Sequence, residues 1–388
     1  MRGTRLAIGV LAAWAAAVVL ATWRVAPVAT PLPERCADPS APDSTLFLLG
    51  DAGSPRAPEP LLEALVADAR AAVAALGAER VAIVFLGDNI YPEGLDAADH
   101  ERRAEDERRL GAQLDAVRRA GARGVFVPGN HDWSNGEAEG WDAVKRQARY
   151  VAARGASMLP PDGCPGPATL ALGDRLALVA LDTQWWLHAY AKPSDASAGC
   201  AESDPAAVEA AIGAALRDAN GRQAIVVAHH PLVSGGPHGG HFGWREHLFP
   251  LREMDRDLWI PIPVLGSIGP VARMLGASDQ DVAGPRYRAL AAMLARAFAA
   301  APPLAYAAGH DHSLQLLRAG PARFQIVSGA GSAENLTWAY AVAGSLFRAA
   351  ASGYVRLDAG SGGAVAIAVR TLDGAAGATD AYRACLSD

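Results

Sequence analysis

Short apolar runs alternate with amphipathic stretches through the first two thirds of the chain. Runs that predict strands stand at 44–50 (STLFLLG), 81–87 (VAIVFLG), 124–129 (GVFVPG), 175–182 (RLALVALD), 223–229 (QAIVVAH), 303–309, 324–329, 354–358 and 364–370. Between the early runs, helical periodicity marks EPLLEALVADARAAVAAL up to Gly77, DAADHERRAEDERRLGAQLDAVRRA up to Gly121 and DPAAVEAAIGAALRDAN up to Gly221. This alternation predicts a layered α/β domain. The later strands follow one another with few helices, which predicts a second, partly antiparallel sheet packed on the first. The stretch 242–285 fits neither pattern: it is long, apolar and broken by prolines, too long for a passive connection. It reads as an insertion in a domain spanning 44–388.

The N-terminus is a separate object. An uncharged run from Leu6 to Trp23 lies between Arg2, Arg5 and Arg24, and a bilayer span takes about 17 to 25 residues. Residues 1–24 are therefore expected to be a membrane anchor, with a signal peptide cut after Ala21 as the rival reading. Either way the positive flank stays inside and the rest of the chain is exported, anchored on the periplasmic or extracellular side or secreted. Residues 25–43 are expected to be a Pro-rich spacer.

Half of the residues are hydrophobic (51%), enough for a large core, and the net charge of −6 argues against a phosphate-backbone binder. Nucleic acid is not an expected partner. Four widely spaced cysteines, with no Cys-x-x-Cys, disfavour a zinc ribbon and suit disulfides in an oxidising compartment. The expected pairs are Cys36–Cys385 and Cys164–Cys200, although the sequence alone allows three pairings or free thiols.

The chemistry lies just past the apolar runs. LGDAG carries Asp51, LGDNIY carries Asp88 and Tyr91, PGNHDW carries Asn130, His131 and Asp132, AHHP carries His229 and His230, and AGHDH carries His310, Asp311 and His312. In open α/β sheets sites form at the carboxyl ends of strands, so residues scattered in sequence can converge there. A single Gly-Asp is a turn and a single histidine is usually satisfied by hydrogen bonds. Five strands that each end on oxygen or imidazole donors are hard to read as turns. Such donors without cysteine suit iron, zinc or manganese.

In this order the motifs resemble those of the calcineurin-like metallophosphoesterases. Tyr91, three residues after Asp88, makes the chain similar to the tartrate-resistant, purple acid phosphatase branch. The resemblance runs from Asp51 to Ser332, takes in LDT at 181–183 and SGAGS at 328–332, and implies a two-sheet β-sandwich flanked by helices. It implies two metal ions. Asp51, Asp88, Tyr91 and His312 correspond to one metal's ligands, and Asp88, Asn130, His229 and His310 to the other's. Tyr91 implies Fe(III), because a phenol needs a strongly acidic cation to lose its proton, with a divalent iron, zinc or manganese beside it. The implied reaction is hydrolysis of a small phosphate monoester by in-line attack of a metal-bridging hydroxide.

The resemblance makes His131 and His238 the acid groups, with Asp132 expected to orient His131. His241 is the rival of His238. His230 and Asp311 are expected to point away from the site by strand alternation, and His100, His188 and His247 to be surface or structural residues. Trp133, Trp185 and Trp186 are expected either to wall the pocket or to pack elsewhere. Two features depart from the family pattern: no aromatic follows Asp51, and the 242–285 segment falls where the His238 loop returns to the fold. They leave open phosphodiester or lipid-linked phosphate hydrolysis at a membrane surface, reached through the N-terminal helix and the insertion, and an inactive metal-binding scaffold. The sequence does not specify an oligomeric state.

Overall fold

The computed structural model describes residues 9–19, 31–37, 42–194, 199–219, 221–252, 257–372 and 377–387 with their side chains, together with the helical backbone of 2–22. The described strands are β1 (Pro42–Leu49), β2 (Val81–Phe85), β3 (Arg123–Phe126), β4 (Ser157–Met158), β5 (Ala168–Leu172), β6 (Leu176–Ala180), β7 (Gln223–Val227), β8 (Ala305–Ala308), β9 (Leu314–Leu317), β10 (Phe324–Ser328), β11 (Ser345–Ala349), β12 (Gly353–Gly360), β13 (Val365–Leu372) and β14 (Ala378–Ser387). The helices are α1 (Arg2–Thr22), α2 (Pro60–Leu76), α3 (Arg103–Ala120), α4 (Gly140–Ala152), α5 (Thr183–Leu187), α6 (Pro205–Arg217), α7 (Trp244–Leu248), α8 (Ile268–Met274) and α9 (Pro285–Phe298).

Two seven-stranded sheets form, in the orders β14-β13-β12-β1-β2-β3-β4 and β11-β9-β10-β8-β7-β6-β5. The sandwich follows from the period-two pattern of β1. Leu46 and Leu48 enter the core between the sheets with Val84, Leu178, Val227 and Ile326, while Phe47 and Leu49 turn outward beneath α2 and α3 with Leu65 and Leu114. On the far side, Val179 and Val226 meet α6 and α9 through Ile212, Leu290 and Phe298. This is the expected α/β sandwich with flanking helices. The sequence reading differs from the structure at the carboxyl-terminal strands. Instead of extending a second sheet, β12 pairs antiparallel with β1 and continues as a meander through β13 and β14, so both sheets are mixed. Their short connections permit only antiparallel neighbours.

The expected membrane anchor is only partly covered by the described residues. No helix among the described residues is long and apolar enough to cross a membrane. The described part of α1 lies against the 242–285 segment: Trp14 Nε1 donates to Ser267 Oγ at 2.7 Å, and Val18 is buried. The ends of the expected anchor, 1–8 and 20–24, lie outside the described side chains. Of the expected spacer, 25–30 and 38–41 lie outside the described residues. Residues 31–37 pack on the domain, with Leu32 in the inter-sheet core and Cys385 N donating to Pro33 O at 2.6 Å.

Both expected disulfides form. Cys36–Cys385 ties the start of the domain to β14, and Cys164–Cys200 bridges two loops. Such bridges fit an oxidising compartment.

Candidate metal centre

β1, β2 and β3 of one sheet and β7 and β8 of the other end at the same edge of the sandwich. Backbone bonds stitch the two edges: Gly50 N donates to Ser328 O at 2.7 Å, and Gly331 N to Gly50 O at 3.0 Å. Past these ends, Asp51, Asp88 and His310 hold φ of 58°, 52° and 69°. That left-handed region costs a non-glycine residue about 1–2 kcal/mol, so three side chains are held at the site against local preference. The neighbouring glycines are needed for close approach. A Cβ on Gly87 (φ 91°) would strike the His229 ring, and one on Gly129 would strike the Asp88 carboxylate.

Two groups of buried donors result. In one, Tyr91 Oη lies 3.1 Å from Asp51 Oδ1, 3.3 Å from Asp88 Oδ2 and 3.1 Å from His312 Nε2. In the other, His229 Nε2 lies 3.0 Å from Asn130 Oδ1, 3.3 Å from Asp88 Oδ1 and 3.2 Å from His310 Nδ1. Asp88 turns one oxygen to each group.

The outer nitrogen of each histidine fixes its tautomer. His229 Nδ1 donates to Leu86 O at 2.8 Å, His310 Nε2 to Gln280 O at 2.8 Å and His312 Nδ1 to Asn335 O at 2.7 Å. Carbonyls only accept, so in the neutral rings the nitrogens facing the site carry lone pairs. Lone pairs of His229 and His310 confront each other, and the single Tyr91 proton faces acceptors of Asp51, Asp88 and His312. This excess of acceptors fits cations between them, and the oxygen and imidazole set fits two metal ions.

The electrostatics carry the same imprint. Burial, then the charges of Asp51 and Asp88, pushes the Tyr91 phenol well above its ordinary value. Burial works against the Asp88 charge, but protonated His229 and His131 hold it well below the usual carboxylate range, and against the effect of burial Asp88 in turn raises His229 to about 9. Burial, then the nearby histidines, drives His310 well below its ordinary value, which leaves it neutral, as a ligand must be.

His131 and His238 flank these groups. His131 Nδ1 donates to Pro92 O, and its Nε2 stands 3.9 Å from Asp88 Oδ2. Asp132 does not orient His131 as expected. It accepts from Gly129 N at 2.8 Å, Asn89 Nδ2 at 2.9 Å and Gln147 Nε2 at 2.7 Å, and so braces the loops that carry Asp88 and Asn130. Burial, then the charge of Asp88, pushes Asp132 up to about 7.

His238 is held by a residue the sequence reading did not single out. Its Nδ1 stands 2.9 Å from Asp281 Oδ1 and 3.1 Å from Gln280 O, and its ring centre lies 3.8 Å from that of His310, the rings tilted by 35°. Arg273 grips both Asp281 oxygens at 2.7 and 2.8 Å. Asp281 and Arg273 both lie in the 242–285 segment, so that segment positions His238.

The competing histidines have other partners or other places. His241 lines a separate cavity beneath α1 with Trp14 and Phe242. His230 lies near His229 and His310, but Thr183 Oγ1 (2.7 Å) and Gln280 Oε1 (2.8 Å) occupy both of its nitrogens. Asp311 is buried and accepts from His238 N at 3.1 Å, a structural role. His100 pairs with Asp96, His247 with Ser267, and His188 is buried against Trp133. Trp133 and Trp185 are core residues, and Trp186 lines a groove with Tyr190 and Lys192. The cleft at the site is walled instead by Trp244, Phe249, Trp338 and Tyr340. SGAGS acts as a brace, since Ser332 Oγ donates to Asp51 O at 2.6 Å.

No protein-family model matches the chain, and no curated protein matches it. Among solved structures it is similar to GAP50, the anchor in the inner membrane complex of Plasmodium, with a TM-score of 0.54 and 16% identity over 89% of both chains. It is also similar to the purple acid phosphatase PPD1 from yellow lupin (Lupinus luteus) seeds, with a TM-score of 0.51 and 12% identity over 92% of this chain. It spans 55% of the lupin enzyme. At these identities the likeness is one of fold. The two mixed sheets and their helical layers give this chain the fold of these two structures.

Proposed function

We propose that the protein is a two-metal hydrolase of phosphate monoesters. The observation that supports this most is the set of lone pairs on His229, His310 and His312, each fixed by a backbone carbonyl and facing Asp51, Asp88, Tyr91 and Asn130. Asp51, Asp88, Tyr91 and His312 would hold one ion, and Asp88, Asn130, His229 and His310 the other. Asp88 is the shared ligand because its two oxygens face different groups. Tyr91 favours Fe(III) in the first position, since only a strongly acidic cation takes the proton from so strongly perturbed a phenol. A divalent iron, zinc or manganese suits the second.

When bound, the two ions supply Lewis acidity towards phosphate oxygens and an acidified water as nucleophile. The remaining work falls to side chains. Pro92 O fixes the His131 ring, leaving Nε2 to face the bound ester. Asp281 and Gln280 hold His238 Nδ1, leaving its Nε2 to donate a proton to the departing oxygen. The Arg273–Asp281 pair stops the His238 loop from sliding.

The disulfides and the basic N-terminal flank favour an exported domain. The test is turnover by metal-loaded protein of 4-nitrophenyl phosphate against bis(4-nitrophenyl) phosphate. Preference for the monoester supports this reading, preference for the diester replaces it with phosphodiester hydrolysis, and no turnover of either leaves a metal-binding scaffold.

A further inference from the structure

A ligand histidine and the proton donor of the proposed site meet at one backbone oxygen. Gln280 O accepts from His310 Nε2 at 2.8 Å and stands 3.1 Å from His238 Nδ1, and the two ring centres lie 3.8 Å apart. A carbonyl oxygen has two lone pairs, so it can receive both rings at once. The rings arrive from different parts of the fold, His310 just past β8 and His238 on the loop after β7.

The place of that oxygen does not depend on the backbone of the 242–285 segment alone. The Gln280 side chain reaches a buried layer behind the site, where His230, Thr183 and Gln184 are fully shielded from water. Thr183 Oγ1 accepts from His230 N at 3.2 Å and donates to His230 Nδ1 at 2.7 Å, which puts the proton of the neutral ring on Nε2. His230 Nε2 donates to Gln280 Oε1 at 2.8 Å, and Gln280 Nε2 donates to Gln184 Oε1 at 3.1 Å. Only an amide can accept at one end and donate at the other from a single plane. Backbone bonds close the turn around it: Gln280 N donates to Ser278 Oγ at 3.1 Å, and Val282 N to His238 O at 2.9 Å.

We infer that Gln280 is a positioning residue that couples the metal centre to the proton donor. Its amide, clamped between His230 and Gln184, fixes the carbonyl that orients His310 and His238 together. His230 and Thr183 thereby act on the site through Gln280. The Asp281 carboxylate differs, since it bonds to His238 and Arg273. The assignment rests on the two-metal phosphomonoesterase reading and adds to it the residue that links its two halves.

The test compares the metal-loaded full chain with Gln280→Leu, which keeps the bulk of the side chain and removes both amide bonds. Metal content is followed during titration with EDTA, and turnover is measured on glycerol 1-phosphate and on 4-nitrophenyl phosphate, whose oxygen leaves without a proton. Gln280→Leu is expected to lose one of its two ions at about tenfold lower chelator concentration. It should also lower kcat on the glycerol ester about tenfold more than on the nitrophenyl ester, with KM unchanged. Asp281→Asn should show the second effect without the first. If Gln280→Leu does not fold by circular dichroism, Gln184→Leu, which cuts the outer bond of the clamp, carries the same two expectations at smaller size. A folded variant that shows neither effect, or only one of them, would overturn the coupling and leave the phosphomonoesterase reading standing. A native chain that holds no ions and hydrolyses neither ester would overturn both.

Discussion

The Asp281 carboxylate stands 2.9 Å from His238 Nδ1 and is gripped on both oxygens by Arg273. An acid that donates from Nε2, the role proposed for His238, needs its ring fixed from the other nitrogen, and this pair does that from outside the proposed ligand set. Asp281→Asn is expected to lower turnover by about 10- to 100-fold with the metal content unchanged. His238→Ala should cost about 10² to 10⁴, and the double variant little more than His238→Ala alone. Additive losses in the double variant would separate Asp281 from His238.

The two flanking histidines should differ from the third. His131→Ala, like His238→Ala, is expected to cost about 10² to 10⁴ in turnover on alkyl esters and much less on esters of acidic phenols, whose oxygens leave without a proton. His241→Ala should change turnover by less than about threefold, because His241 lines the cavity beneath α1. Steady-state kinetics on a series of leaving groups, with metal content measured in parallel, checks both statements. A uniform loss across the series would assign His131 to phosphate binding.

Tyr91 Oη lies 3.1 Å from both Asp51 Oδ1 and His312 Nε2, and the proposed Fe(III) preference of the first position rests on it. Iron-loaded protein is expected to be purple through phenolate-to-iron charge transfer, and Tyr91→Phe to bleach it while His312 and Asp51 stay in place. Visible absorption before and after the substitution is the measurement. Colour that survives in Tyr91→Phe would remove the phenol from the centre.

The Cys164–Cys200 bridge closes a segment with a sequence separation of 36. Replacing both cysteines by serine is expected to cost about 2–4 kcal/mol of stability, read from the midpoint of urea unfolding. Metal binding should survive under native conditions, because the bridge contributes no donor. An unchanged midpoint would show that the loops are already ordered without it.

The convergence of these donors was legible in the sequence because the residues announce themselves locally. Asp51, Asp88, Asn130, His229 and His310 each follow an apolar run by a few residues, and a sandwich brings such ends together. Asp281 was not legible, since a carboxylate in a Pro-broken segment carries no periodicity and its meaning lies in a contact with His238 across 43 positions. Trp133 and Trp185 sit beside motif residues yet face the core, because neighbours in sequence leave the chain in different directions. The sheet membership of β12 to β14 was likewise hidden, as alternation gives a strand its faces but not its partners. The hydrogen bond of Trp14 to Ser267 in the 242–285 segment likewise appears only in three dimensions.

Asp88 tests the account most directly, because its Oδ1 faces His229 and its Oδ2 faces Tyr91. Metal analysis of the native chain and of Asp88→Ala, paired with phosphomonoester turnover, is the measurement. The account predicts two ions per native chain with turnover, and loss of both ions and of turnover in Asp88→Ala while the disulfide-bonded fold persists by circular dichroism. An Asp88→Ala protein that keeps two ions and normal turnover would contradict it.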